Sequence, residues 1–527
     1  MIRRYPSLVL ALGACLAAMA PAKAQNTPTR GGTFVYAITQ GDPATLDCHA
    51  AISINVALRI APHYASLLRQ NPADPSQIVG DLARSWTVSR DGKTYTFKLH
   101  PNVRFHDGSA LTASDVRFSL DRIRNPPKGM MSPREAMFAD VSAIETPDKE
   151  TVVIRLSAAN ASFLKMLANP TACVISEAMT KADPDYPGKK VMGSGPFKFV
   201  RYSPGHEWVG ERFDGYFVKG RPHLDGFRAL SMPVPAAINA LSAGQVMTDF
   251  RGVANADAAR IKAARGDKVR IHEAKEPINL LLMYMLNGKK PDLADVRVRR
   301  AIALAIDHWG GEKLIERSTG TSAPGGLLRP GSAFARTPEE LSTLPGFRRD
   351  MEAARAEARK LLAEAGKTNL NLRLLNRKPF PYAGVFLIDQ LRQVGITVTQ
   401  EQPEDPQYIA KREAGEFDLL LGAFPDMDDD PTMQWSALTS ESTNARIYVN
   451  GDDKRVDAYY LQQKQATTPA QRKAILHEAE AWMLNQAYVV PFFWGRRTVV
   501  MASEVGGYTP THSNWVGLDL SELWLNK

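Results

Sequence analysis

Apolar and polar residues recur along the chain with two different periods, and each period predicts one kind of element. Every second side chain is apolar in residues 94–99 (TYTFKL), which predicts a half-buried strand, and residues 151–156 (TVVIRL) predict another. Apolar positions recur at helical spacing in residues 296–307, which predicts an amphipathic helix with one buried face. Strands that alternate with helices are typical of an α/β fold. Three later stretches also predict helices: residues 352–365, 384–394 and 471–486.

One adjacent pair of polar residues, His106 and Asp107, is a first candidate for chemistry. A neighbouring imidazole and carboxylate could form a catalytic dyad or hold a metal ion. The pair is followed by Gly108, and Thr112 and Asp115 then have the spacing of a capping box that starts a helix. Polar side chains in a tight turn usually bond the local backbone. We therefore interpret the pair as part of a turn.

The first 24 residues have the three parts of a secretory signal peptide. Two arginines precede an apolar stretch at 8–20, and residues 22–24 (AKA) form a cleavage site of the A-x-A type. We therefore expect export to the periplasm and cleavage before Gln25. A lipoprotein anchored at Cys15 and twin-arginine export are alternatives. No later stretch reaches the roughly 20 apolar residues of a membrane-spanning helix.

Charge and cysteine content narrow the classes of function. The formal net charge of +9 falls to +6 when the three basic residues of the signal are removed, and no block of Lys and Arg indicates nucleic-acid binding. Cys48 and Cys173 are the two cysteines beyond the signal. In an oxidising compartment they either form a disulfide or stay as buried thiols. The chain is too long for a single core, so we expect at least two lobes.

A longer motif gives the chain a family resemblance. Segment 82–116, which reads LARSWTVSRDGKTYTFKLHPNVRFHDGSALTASDV, closely resembles the signature of the family 5 solute-binding proteins of ABC importers, the peptide- and nickel-binding group. Residues 31–47, 193–196 (GSGP) and 296–307 (VRVRRAIALAID) are similar to further motifs of that family. The similarity covers nearly all of the mature chain. It implies a capture protein that catalyses no reaction and needs no cofactor.

The resemblance also implies an architecture. It is that of a two-lobe periplasmic-binding-protein clam, type II and similar to cluster C, with an extra inserted subdomain. Such proteins enclose a ligand by hinge closure. The implied pieces are the signal peptide (1–24), the first lobe (25–68, 186–277 and 491–527), its inserted subdomain (69–185) and the second lobe (278–490).

In the family, a turn of the first lobe that ends in Leu-Asp approaches the ligand. Its counterpart here ends at Asp47, and Cys48-His49 follows where a proline is commoner. The resemblance therefore implies Asp47 and His49 as ligand contacts.

The second lobe offers candidates for binding a carboxylate. Dipeptide-binding members carry an arginine after a strand, and Arg377 matches it, with Tyr382 in the same segment. A guanidinium can bind a carboxylate bidentately, although an ion pair inside the lobe would explain Arg377 as well. Trp435 and Arg446 are further candidates, and Trp435 is equally suited to the core.

An acidic stretch at 422–431 (GAFPDMDDDP) matches the family segment that binds a ligand's α-amine. The amine-binding position itself is Met427, so Asp426 or Asp428 would have to replace it, or the ligand lacks an α-amine. The alternating aspartates also resemble the start of a calcium loop, but the later Gly and Glu of such a loop are missing. A solvated acidic loop is the remaining interpretation.

These residues lead to one functional expectation and several alternatives. We expect a monomeric periplasmic protein that captures a short peptide, or a related amino or carboxylate compound, and delivers it to an inner-membrane ABC permease. Within the same family the ligand could be an opine, nickel or haem, although the ten histidines have no H-x-H or H-x-x-x-H spacing. A secreted hydrolase is the alternative from another class. It would need a motif such as G-x-S-x-G or H-E-x-x-H, and the sequence contains neither.

Overall fold

The structure is a computed structural model, and it describes most of the chain beyond the first 26 residues. The candidates Asp426, Asp428 and Arg446 lie outside the described residues, as does the predicted signal peptide. Within the described part, no helix is both long and apolar enough to cross a membrane. The described residues are 27–39, 41–43, 45–50, 54–130, 132–274, 276–278, 280–319, 323–378, 380–423, 430–440, 453–513 and 515–526.

A mixed seven-stranded sheet forms the first lobe. Its central strand, Thr33–Ile38, pairs in parallel with Gly226–Ser231 on one side and Thr248–Asp249 on the other. Its strands therefore come from three distant parts of the chain. In spatial order they are Val269–Glu273, Thr498–Ala502, Thr248–Asp249, Thr33–Ile38, Gly226–Ser231, Glu207–Arg212 and Phe197–Ser203.

A separate antiparallel sheet forms the inserted subdomain. Tyr95, Phe97 and Leu99 are buried on one face of the strand Thr94–Leu99, as the alternation predicts. A hairpin of Leu68–Asn71 and Asp74–Gly80 precedes this sheet. In spatial order its strands are Ala83–Val88, Thr94–Leu99, Thr151–Leu156 and Val141–Asp148.

A five-stranded sheet forms the second lobe. The sheet contains two parallel and two antiparallel strand pairs. Its strand Leu281–Leu286 is fully buried. The last strand of this sheet ends at Trp494, and the chain re-enters the seven-stranded sheet with the strand Thr498–Ala502. In spatial order the strands are Thr397–Glu401, Asn371–Leu375, Leu419–Ala423, Leu281–Leu286 and Val489–Trp494. A short pair, Val505–Gly506 with Trp524–Leu525, lies near the C-terminus.

Helices pack against these sheets with their apolar faces inward. Val298, Ala301 and Ile302 of the helix Val296–Ala305 are buried in the second lobe, as the helical spacing predicts. The helices are Ile54–Ile60, Ala113–Arg124, Phe163–Leu167, Glu177–Ala182, Tyr186–Lys189, Val234–Ala243, Asn255–Arg265, Pro291–Ala294, Val296–Ala305, His308–Thr319, Pro338–Leu341, Met351–Glu364, Pro381–Arg392, Asp405–Glu413, Pro431–Trp435, Lys454–Lys464 and Pro469–Gln486.

The turn interpretation of His106 and Asp107 agrees with the contacts of both side chains. Asp107 accepts hydrogen bonds from the backbone N and the hydroxyl of Ser109, at 2.9 and 2.6 Å. His106 Nε2 lies 3.0 Å from the carbonyl O of Gly195. A Cβ at Gly195 would lie 2.6 Å from the backbone N of Tyr64, so glycine is required there by close approach of the backbone.

Candidate functional site

A cavity of about 1020 Å³ lies between the two lobes. Its walls come from the inserted subdomain, the second lobe and the C-terminal part of the first lobe. Glu273, Ala274 and Glu276, which lead from the first lobe to the second, also contribute. Charged side chains from several of these parts line the cavity. The lining residues include Asp74, Ser76, Ala161, Lys165, Glu273, Glu276, Arg329, Ser332, Phe334, Asp430, Arg472, Thr511 and His512.

Two segments of the chain cross between the lobes side by side at one edge of this cavity. The backbone N of Ile278 donates to the carbonyl of Gly495, and the N of Gly495 donates to the carbonyl of Leu280, each at 2.8 Å. Few residues separate these crossings from the strands on either side. Such a paired crossing has the form of a hinge, because a small change in a few backbone angles would move one lobe against the other.

An ion pair joins the second lobe to this crossing. Arg329 is 3 % exposed, and its Nη1 lies 2.8 Å from Oε2 of Glu276. The same nitrogen also donates to the carbonyl of Pro277, at 3.3 Å. Both charged residues line the cavity, so their charges are already paired at its wall.

A second and more deeply buried ion pair lies in the cavity wall of the second lobe. Asp430 and Arg472 have side chains that are 1 % and 6 % exposed, and the two guanidinium nitrogens lie 2.8 and 3.0 Å from the two carboxylate oxygens. Burial alone would raise the pKa of Asp430, but the charges of Arg472 and Lys165 and the hydrogen bonds from Arg472 and Ser162 together outweigh it and lower that pKa to about 2. Asp430 is therefore ionised and bound within the protein.

The inserted subdomain contacts the second lobe directly. Ser162 Oγ donates to Asp430 Oδ1 at 2.6 Å and lies 2.9 Å from Nη2 of Arg472. The backbone N of Ala161 donates to the carbonyl of Lys464 at 2.8 Å, and the ammonium of Lys464 lies 2.7 Å from Asp140. With these contacts made, the two lobes are closed on the cavity.

Asp47 and His49, predicted to touch a ligand, do not line this cavity. Asp47 is buried and paired with Arg122 through both carboxylate oxygens, at 2.5 and 3.1 Å. His49 Nδ1 lies 2.9 Å from Nη1 of Arg122, and its Nε2 lies 2.9 Å from the carbonyl of Cys173. A guanidinium can only donate, so Nδ1 accepts and Nε2–H donates in a neutral ring. Burial lowers the pKa of His49 to about 4, which agrees with that assignment.

The two cysteines beyond the predicted signal peptide form a disulfide beside this network. Cys48 and Cys173 are bonded, with their Cα atoms 6.5 Å apart. The bond ties the N-terminal piece of the first lobe to the inserted subdomain. The sequence left open whether these cysteines are bonded or stay as free thiols, and the structure has the disulfide. Asp47 and His49, the neighbours of Cys48, contact Arg122 at the same junction.

The predicted carboxylate-binding residues of the second lobe also lie away from the cavity. The Arg377 guanidinium is 5.8 Å from the centre of the Tyr408 ring. Tyr382 stacks on Phe492 of the lobe core at 6.3 Å, and burial raises its pKa to about 12. Trp435 is buried and donates to the carbonyl of Leu327 at 3.4 Å, as its core interpretation predicts.

Sequence reasoning missed Ser162, Lys464 and Arg472, although one of them left a signal. Arg472 stands one turn before Leu476 on the buried face of the helix Pro469–Gln486, where a charged side chain needs a buried partner. A charge at an apolar helical position could have indicated an internal ion pair. Ser162 had no comparable signal, because a serine before a helix is common as a cap.

Known proteins share both the sequence pattern and the fold. The family model described as "Bacterial extracellular solute-binding proteins, family 5 Middle" matches residues 77–445. A relative from Escherichia coli (strain K12), "Probable D,D-dipeptide-binding periplasmic protein DdpA", is 27% identical over 485 residues, which is 89% of each chain.

Two solved structures extend the similarity to the whole fold. The periplasmic binding protein DppA from Helicobacter pylori, in complex with the peptide STSA, superposes with a TM-score of 0.78 at 21% identity and covers 95% of this chain and 99% of its own. The binding protein AgaA of A. tumefaciens R10, in complex with agropinic acid, gives a TM-score of 0.76 at 24% identity and covers 94% and 99%. With a family match over more than half of its length and the two-lobe α/β fold, the chain belongs to the family 5 bacterial extracellular solute-binding proteins.

Proposed function

We propose that this protein captures a short peptide, or a related small compound with amino or carboxylate groups, between its lobes and delivers it to an ABC permease. The observation that carries the proposal is the interlobe cavity of about 1020 Å³. The paired crossing bounds it on one side, and the contacts between the inserted subdomain and the second lobe bound it on the other. A volume of this size is at the upper end of small-molecule sites. The named peptide-binding relatives support the choice of ligand class.

We propose further that the protein works as a periplasmic monomer and has no catalytic role. The charged residues that line the cavity include Arg329 and Arg472, and each is paired with a carboxylate. A binding wall with paired charges suits a polar ligand held by hydrogen bonds. An opine is the second candidate, supported by the similarity to the agropinic-acid-binding protein.

Mass spectrometry of the compound that co-purifies with protein isolated from the periplasm tests this function. We expect one equivalent of a peptide or amino-carboxylate compound, released intact by denaturation. Ala333→Trp would fill part of the cavity and should abolish co-purification. Ala263→Trp, on an exposed helix of the first lobe, is the matched control. Cleavage products in place of an intact compound would favour a hydrolase, and a compound bound equally by Ala333→Trp would exclude this cavity.

A further inference from the structure

The contacts between the inserted subdomain and the second lobe form one compact group. They involve Ser162 and Ala161 on one side and Asp430, Arg472 and Lys464 on the other. The group lies in the wall of the cavity, since Ala161, Asp430 and Arg472 also line it. No residue of this group belongs to the paired crossing at 278–280 and 495. Within the described residues, the paired crossing and this group therefore both connect the lobes.

The hydroxyl of Ser162 is the centre of the group. It donates to the buried carboxylate of Asp430 at 2.6 Å and accepts from Nη2 of Arg472 at 2.9 Å. Because Asp430 and Arg472 both belong to the second lobe, their ion pair survives when the lobes separate. Opening would break the hydrogen bonds of Ser162 and expose the pair to water. Hydrogen bonds to charged groups in a buried site are stronger than those between neutral groups.

A second set of contacts lies beside Ser162 and acts in the same direction. The backbone N of Ala161 donates to the carbonyl of Lys464 at 2.8 Å. The ammonium of Lys464 lies 2.7 Å from Oδ2 of Asp140, and Asn160 donates to that same oxygen at 2.9 Å. Asn160 thus holds the carboxylate in place for a lysine that comes from the other lobe.

We propose that these residues form a latch that keeps the lobes closed even when the cavity holds no ligand. Its effect on capture rests on the proposed function: a latch that favours the closed state sets how much of the binding energy is needed for closure. Ser162 and Lys464, which do not line the cavity, therefore tune affinity without touching the ligand. Ser162 and Lys464 are positioning residues, because they act through the position of the lobes.

The experiment uses the full-length mature protein, freed of any bound compound by unfolding in urea and refolding with its disulfide intact. Small-angle X-ray scattering measures closure, and hydrogen exchange of the Ala161 amide reports the interlobe bond itself. We expect ligand-free wild type to be compact, with Ala161 protected. Ser162→Ala should lower the ratio of closed to open molecules about tenfold, as expected for loss of a hydrogen bond to a charged group, and should lower Ala161 protection by a similar factor.

Ser142→Ala is the matched control, because Ser142 lies in the same subdomain, is exposed and donates to the carbonyl of Arg155 within that subdomain. It should leave both readouts at wild-type values. If Ser162→Ala melts several degrees lower, Lys464→Met tests the latch through the Lys464–Asp140 ion pair, which is less deeply buried than the Asp430–Arg472 pair. An open ligand-free wild type, or unchanged Ala161 protection in both variants, would overturn the latch. Since no ligand is added, these results stand apart from the success or failure of the proposed peptide capture.

Discussion

Two buried ion pairs of this protein have almost the same chemistry and different positions in the fold. Asp47 pairs with Arg122 through both carboxylate oxygens, and Asp430 pairs with Arg472 in the same way. All four side chains are less than a tenth exposed. In each pair the arginine lowers the pKa of an aspartate that burial alone would raise.

The pairs differ in what they connect. Asp47 and Arg122 join the N-terminal piece of the first lobe to its inserted subdomain, and the Cys48–Cys173 disulfide closes over the same junction. Asp430 and Arg472 lie within the second lobe, and their third partner, Ser162, comes from across the cavity. One pair is therefore fixed by a covalent bond, and the other is built at a contact that can open. The burial and geometry of an ion pair therefore do not show whether it stabilises a fixed junction or a contact that can open.

Removal of the disulfide should have the largest effect on stability. Cys48 and Cys173 are 125 residues apart, and a loop of that order closed by a disulfide contributes about 5 kcal/mol, mostly by restricting the unfolded chain. The double variant Cys48→Ala, Cys173→Ala should lose a free energy of unfolding of that order in urea denaturation. Scattering should show the lobes as closed as in wild type. A loss below about 1 kcal/mol would contradict the role of this junction.

Breaking the two ion pairs in parallel should separate stability from closure. Arg122→Met and Arg472→Met each leave a buried carboxylate without its arginine, which typically costs about 3–5 kcal/mol. Only Arg472→Met should also expand the ligand-free protein, because only that pair contacts the other lobe. Arg297→Met is the control, since the ion pair of Arg297 with Asp295 is partly exposed and should contribute at most about 1 kcal/mol. Equal expansion in both buried variants would remove the distinction.

Acid should weaken the Asp430 pair in a defined pH range. The pKa of Asp430 is lowered from 3.8 to about 2, so its stabilisation is present above about pH 4 and is lost as the pH falls towards 2. A pKa shift of about two units corresponds to about 2–3 kcal/mol in the free energy of unfolding. Urea denaturation between pH 5 and pH 2.5 should show this slope in wild type and a shallower slope in Asp430→Asn. Parallel curves for the two proteins would refute the assignment.

A partly buried aspartate without a bidentate arginine, Asp81, should behave in the opposite way. Asp81 accepts from the backbone N of Ser66 at 2.7 Å, and burial raises its pKa to about 7 despite the nearby charge of Arg69. Its cost to stability is therefore absent in acid and grows as the pH rises from about 4 to 7. Asp81→Asn should stabilise the protein by about 1–2 kcal/mol at pH 8 and by little at pH 4. Calorimetric melting at both pH values measures this difference, and destabilisation at pH 8 would contradict it.

Much of the fold could be read from local patterns, whereas the contacts between the lobes could not. The strands Thr94–Leu99 and Thr151–Leu156 begin and end where the alternation predicts, and the capping box of Thr112 and Asp115 starts a helix at Ala113. These features depend on neighbours within a few residues. The family motifs then supplied the expected order of the lobes.

The predicted site residues show the limit of motif reasoning. Asp47, His49 and Arg377 were chosen by position in a motif, and the structure gives each a partner inside one lobe. The same residue type at the same motif position can face a cavity or a neighbouring helix. Which of the two occurs depends on contacts with segments that are far away in the sequence.

The sequence by itself determined the periodic elements, the two cysteines available for pairing and the family of the chain. Only the tertiary structure decided which charges meet. Ser162 lies 268 residues from Asp430 and 310 from Arg472, and their contact exists only because the two lobes meet there. Periodicity is a property of neighbouring residues, whereas a contact between lobes requires the complete path of the chain and a relative position of the lobes that no local pattern specifies.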